Sequence, residues 1–285
     1  MKIALCNEVL QPMPFAKQCV WAAAVGYDGL EVAPFTLSDE PHAMIPQERA
    51  AIRRAAADAG IAITGLHWLL LTPKGLSITS PDAAVRARTV EVMRRLIDFC
   101  ADVGGKVLVH GSPGQRTIAA GETRETAIGR ARDAFAQVAQ HAERAGMVYC
   151  IEPLATAETP VINTLAEAAA IVDAIDNPAL RTMIDTSAAA RMEEAPLGAV
   201  IDRWLPTGRI AHVQVNDPNR RGPGEGELPF APVFAALRRN GYAGVVAVEP
   251  FKYLPDGQAC AARAIGYVRG ILETLGSDDG QVRRA

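Results

Sequence analysis

Cysteine is scarce in this chain: Cys6, Cys19, Cys100, Cys150 and Cys260 are the only ones in 285 residues. Their number is odd and none stands in a CxxC pair, which argues against a disulfide framework or a zinc knuckle. Neither sign of charge dominates, with 29 Lys+Arg against 32 Asp+Glu and a net charge of -3. That balance disfavours a nucleic acid or an anionic membrane as partner. No apolar run reaches the roughly 18 residues of a membrane span. Met1 to Leu10 has neither a basic start nor a sustained apolar stretch, so no secretory signal is visible. No GxGxxG follows the first apolar run, which weakens a dinucleotide-binding reading. Long linkers and short-period repeats are missing as well. These absences predict a soluble, reduced, cytoplasmic globular protein with no membrane or nucleic-acid partner.

What the chain does have is two alternating periodicities in a composition that is 49% hydrophobic. Short Val- and Ile-rich runs read as buried parallel strands over 2–6, 29–33, 61–66, 106–110, 148–153, 181–185, 209–215 and 244–249. Segments with a 3–4 repeat lie between them; the clearest places Ile128, Ala131, Phe135, Val138, Ala142 and Ala145 on one helical stripe. Ser80-Pro81-Asp82 and Asn163-Thr164 with Glu167 read as helix starts, and Gly60, Gly104 and Gly146 as helix stops. Eight strand–helix units in this length predict an α/β fold, a single closed (β/α)8 TIM barrel over residues 1–275. Residues 276–285 read as a frayed, flexible tail.

In such a barrel the chemistry collects at the C-terminal ends of the strands. Four successive runs end there in Glu152, Asp185, His212 and Glu249. Three carboxylates in an apolar mouth repel one another unless a cation neutralises them. The mixed O3N set suits one divalent ion, Mn2+ first and Mg2+ or Co2+ next, better than a thiolate-loving structural zinc. His67 and His110 end the third and fourth runs, where each is either a wall residue or a substrate contact. Trp68 offers its ring to a sugar face or to the core. Glu31 is a substrate contact or half of an ion pair, and Cys6 has no basic neighbour in sequence to activate it.

At these residues the chain resembles the sugar isomerase/epimerase superfamily with the xylose-isomerase-like TIM barrel, above all its ketose 3-epimerases and hydroxypyruvate isomerases. The resemblance runs through Gly26-Tyr27-Asp28-Gly29-Leu30-Glu31, Gly65-Leu66-His67-Trp68, Val109-His110-Gly111-Ser112-Pro113 and Glu152-Pro153-Leu154 with Glu158. It continues through Ile184-Asp185-Thr186, His212-Val213-Gln214, Asn219-Arg220-Arg221-Gly222-Pro223-Gly224-Glu225-Gly226 and Val248-Glu249-Pro250-Phe251.

The resemblance implies that Glu152, Asp185, His212 and Glu249 hold one metal and that Glu152 and Glu249 double as acid/base groups. It also implies that Glu158 and an arginine, Arg220 or Arg221 with Arg220 preferred, bind a small sugar substrate, and that the chain is a homo-oligomer, a dimer or tetramer. Two positions depart from the pattern. Ala188 replaces a histidine usual three residues after the metal aspartate, and Ala155-Thr156 replaces an Asn-Arg pair. Both lie on the substrate side, so an inosose- or hydroxypyruvate-type isomerase is the alternative. An endonuclease IV-like metal hydrolase and a non-catalytic sugar-binding barrel are the rival readings.

Overall fold

The Val- and Ile-rich runs form strands β1 (Lys2–Cys6), β2 (Gly29–Val32), β3 (Ala62–Leu66), β4 (Val107–His110), β5 (Val148–Ile151), β6 (Leu180–Asp185), β7 (Ile210–Val215) and β8 (Val245–Val248). The computed structural model describes residues 1–282 in backbone and 1–276 in side chain. Among the described residues these strands close in chain order into a parallel barrel, sealed where β1 pairs with β8. Helices α1 (Phe15–Val25), α2 (Pro46–Asp58), α3 (Ala83–Val103), α4 (Arg124–Ala145), α5 (Leu165–Ile175), α6 (Thr186–Met192), α7 (Leu197–Trp204), α8 (Phe230–Arg239) and α9 (Gly257–Val282) follow the strands. This is the single (β/α)8 barrel that the alternation predicts. No helix among the described residues is long and apolar enough to cross a membrane.

The local signals act as expected. Asp82 caps α3 by accepting from the Ala84 N–H at 2.7 Å, and Thr164 caps α5 by accepting from the Glu167 N–H at 3.2 Å. Gly104 and Gly146 close α3 and α4 in the left-handed conformation. The α4 stripe buries Ala131, Phe135, Val138 and Ala142. Helix α9 continues through Val282, past the residue at which the sequence places the start of a tail; 283–285 lie outside the described residues.

Alternate residues of each strand face opposite ways. Leu30, Leu66, Leu108, Ile151, Ile184, Val213 and Val248 point outward and join the helices in one large core. The apolar part of the barrel interior forms two separate clusters, Ala4, Cys6 and Ala247 in one and Val109, Cys150 and Met183 in the other. Two bulges, at Leu30/Glu31 and Thr182/Met183, shift the register of β2 on β3 and of β6 on β7. They set the height at which the interior polar residues stand.

Candidate active site

Glu152 and Glu249 lie one residue beyond β5 and β8, and Asp185 is the last residue of β6. One oxygen from each falls within 4.8 Å of the others, and all three side chains are buried. Asp185 caps α6, its Oδ1 accepting from the Ala188 N–H at 2.7 Å, while its Oδ2 is buried with no hydrogen-bond partner. Glu152 needs the missing side chain of Gly111, because a Cβ there would stand 1.6 Å from its Oε2. The wholly buried Arg116 donates to the Glu152 carbonyl at 2.8 Å. Glu249 is held by His67, whose Nδ1 is 2.8 Å from its Oε1; Nε2 of the same ring is 3.0 Å from Oε2 of Glu8. Asn216 donates to the Glu249 carbonyl at 3.0 Å and accepts from the Ser187 N–H, tying the ends of β6, β7 and β8 together.

Above these carboxylates opens a cleft lined by Trp68, Pro113, Leu154, Glu158, Arg220 and Phe251. Trp68 packs edge-on between Phe35 and Phe251, at centroid distances of 5.4 and 5.7 Å. The Arg220 guanidinium lies 4.7 Å over the Phe251 ring and 3.9 Å from Glu158. The N–H groups of Phe251 and Lys252 donate to the Arg220 carbonyl, so the β7 and β8 loops brace each other. Arg221 turns elsewhere: it and Arg263 pair with the buried Glu225, clamping the loop to α9. The choice between the two arginines is thus made by geometry, and it is Arg220 that faces the cleft.

Two sequence candidates stand elsewhere. His110 faces outward from β4 into the helix layer, its Nδ1 2.8 Å from the Tyr149 hydroxyl and its ring edge-on to Phe135 of α4. It is a wall residue and does not reach the cleft. His212 is the second correction, because it does not join the three carboxylates. It lies deeper in the barrel, level with Met183, with Nε2 2.7 Å from Oε2 of Glu31 at an angle too oblique for a hydrogen bond. His67 is in the mouth but spends both nitrogens on carboxylates, and so supports Glu249 where a substrate contact was one expectation.

Burial sets the electrostatics. It raises Glu152 well above the ordinary carboxylate range, with the nearby Glu249 and Asp185 charges adding to the effect. It likewise raises Asp185 to about 7 and Glu249 to about 8, the latter despite the bond from His67. Burial alone would lower His67; Cys6, Glu8 and Glu249 around it outweigh that and hold it well above its usual value. The protonated form of His67 is thus favoured between two carboxylates, while the raised values of the trio register the cost of ionising three acidic side chains together, one of them, Asp185, with an unpaired oxygen. Clustered acidic oxygens of this kind fit a divalent cation.

The profile of the Xylose isomerase-like TIM barrel family matches residues 19–270. The chain belongs to this family. Over 232 residues it is 31% identical to the D-psicose 3-epimerase of Agrobacterium fabrum (strain C58), covering 80% of this chain and 76% of that one. It is 25% identical over 268 residues to an L-ribulose-5-phosphate 3-epimerase of Salmonella paratyphi C, covering 90% and 89%. A crystal structure of D-psicose 3-epimerase in the presence of D-fructose is similar with a TM-score of 0.82 and 25% identity, covering 95% of this chain and 99% of that one.

In this member of the xylose isomerase-like barrels, several site residues escape a reading by strand ends. Glu8 follows β1 in a short 3-10 turn, Arg116 lies on a loop after β4, and Phe251 follows β8. Gln214 carries no charge to draw attention. The signal available for it was its spacing: it stands two residues after His212 and therefore on the same inward face.

Proposed function

We propose that this chain is a divalent-cation-dependent sugar epimerase acting on a ketose, most like a ketose 3-epimerase. The observation that carries the reading is Glu152 and Glu249 converging with Asp185 beneath a cleft walled by Trp68, Leu154 and Phe251, in a chain whose relatives are named as such epimerases. Glu152, Asp185 and Glu249 would hold the cation, Mn2+ first among the candidates. When bound, it supplies Lewis-acid polarisation of the substrate carbonyl, which acidifies the neighbouring C–H.

The remaining steps belong to the side chains. One glutamate removes the carbon-bound proton and the other returns a proton to the opposite face, which inverts the carbon through an enediolate. His67 fixes the rotamer of Glu249 from behind, and the gap above Gly111 with the Arg116 bond fixes Glu152. Trp68, Leu154 and Phe251 exclude water from the reacting carbon. Glu158 and Arg220 offer an acceptor and a donor to substrate hydroxyls at the rim.

A second reading, a hydroxypyruvate-type isomerase, is favoured by one observation. Arg191 and Arg220 both line the part of the cleft beside Ser187, where a substrate carboxylate would find two cations. Incubation in deuterated water with Mn2+, Mg2+ or Co2+ and a panel of free ketoses, ketose phosphates, hydroxypyruvate and inososes separates these cases. Deuterium at C3 of a ketose is expected. Label confined to hydroxypyruvate shifts the assignment to the second reading, and no carbon-bound label with any member refutes both.

A further inference from the structure

Strand β7 turns His212 and Gln214 to the barrel interior, but at different heights. The register pairs Met183 with His212 and Asp185 with Gln214, so Gln214 stands on the rung of the Asp185 carboxylate and His212 one rung below. Gln214 is fully buried, and its Nε2 donates to Oε1 of Glu31 at 2.7 Å. A carboxylate only accepts, so this bond fixes the NH2 toward Glu31 and turns the amide oxygen the other way. That Oε1 has no partner, and neither has Oδ2 of Asp185 on the same rung. Two buried acceptors cannot satisfy each other; a cation satisfies both.

We propose that Gln214, through its side-chain carbonyl oxygen, is the donor that β7 contributes to the Glu152–Asp185–Glu249 cation site, and that His212 is not a ligand. The inference rests on the reading that these carboxylates take a divalent cation. His212 instead abuts Glu31, with Nε2 2.7 Å from its Oε2, and it is the other oxygen of Glu31 that fixes the Gln214 amide. The donor set becomes all oxygen, a hard set that favours Mg2+ and Mn2+ over the more thiophilic and imidazole-seeking ions.

The test is the nitrogen environment of bound Mn2+. Full-length protein labelled with [15N]histidine and loaded with Mn2+ is measured by pulsed EPR, and affinity by titration calorimetry. The wild type is expected to show no coupling to a directly bound histidine nitrogen. Gln214→Leu should weaken Mn2+ binding by about tenfold or more, and Gln214→His should create a histidine coupling and shift the preference from Mn2+ toward Co2+. A histidine coupling in the wild type overturns the proposal, as does wild-type Mn2+ affinity in Gln214→Leu. Should that variant not fold, the labelled wild-type spectrum decides by itself. If the wild type binds neither Mn2+, Mg2+ nor Co2+, the cation reading itself falls and this inference falls with it, an outcome distinct from a cation bound through histidine.

Discussion

Glu152 and Glu249 have the same chemistry but different neighbours, and substitution should separate them. Glu152→Gln and Glu249→Gln are each expected to lower turnover by about 10² to 10⁴ while circular dichroism stays native; wild-type-like kcat in either variant would falsify the acid/base assignment. Their stabilities should diverge. Glu152 is raised by burial and by two like charges, so its ionised form opposes folding. A carboxyl with a raised native pKa contributes a penalty that appears above the unfolded value and grows as pH rises toward the native one. Metal-free Glu152→Gln should therefore melt above the wild type at pH 8, with the gap closing at pH 5. Glu249→Gln strands the His67 cation and should show no such gain. The arginine pair offers a second contrast. Arg220→Ala should raise KM because its guanidinium faces the cleft, whereas Arg221→Ala should leave KM unchanged because its charge is already paired with Glu225.

Strands and helices were legible wherever a single periodicity ran undisturbed. The strand β1 expected at 2–6 is Lys2–Cys6 in the structure, and the α4 stripe is buried as its spacing requires. What the periodicity did not reveal was which face of a strand turns inward at its end. His110 ends β4, yet points to α4, because Val107 and Val109 take the interior and alternation then sends His110 out. Its place between elements has a measurable consequence. Burial, with Arg116 nearby, holds His110 well below its ordinary value of 6.5, so it stays neutral in the folded protein. The unfolded chain takes up that proton as pH falls below 6.5 and the folded chain does not, so stability is present above 6.5 and lost below it. The stability difference between wild type and His110→Gln should shift against the wild type by up to about 1.4 kcal/mol per pH unit below 6.5. Urea midpoints of both proteins at pH 7.5 and 5.5 measure this; parallel midpoints would show that His110 does not titrate on unfolding.

At the scale of the whole barrel, the site ties four sheet elements together only if something offsets the repulsion at its centre. A cation that binds the native state and not the unfolded chain stabilises it by about 2.7 kcal/mol at a hundredfold excess over Kd. Mn2+ should accordingly raise the melting temperature of metal-stripped protein, and EDTA should reverse the rise. Uptake should saturate at one equivalent per chain. Three equivalents would favour the nuclease-type reading, and an unchanged melting curve would count against a site in the mouth altogether.

The sequence alone determined the architecture and the acidic character of the mouth. Eight apolar runs alternating with amphipathic stripes have few ways to bury themselves, and Glu152, Asp185 and Glu249 end their runs whatever the register. Tertiary structure decided which neighbours each of them meets. The bulge at Thr182/Met183 puts Asp185 beside Gln214 instead of Val213, and no composition or spacing announces that slip. Arg220 rather than Arg221 faces the cleft because Glu225 captures the other. Burial that depends on contacts distant in sequence then raises the carboxylates and keeps His67 charged between Glu8 and Glu249, 59 and 182 residues away along the chain.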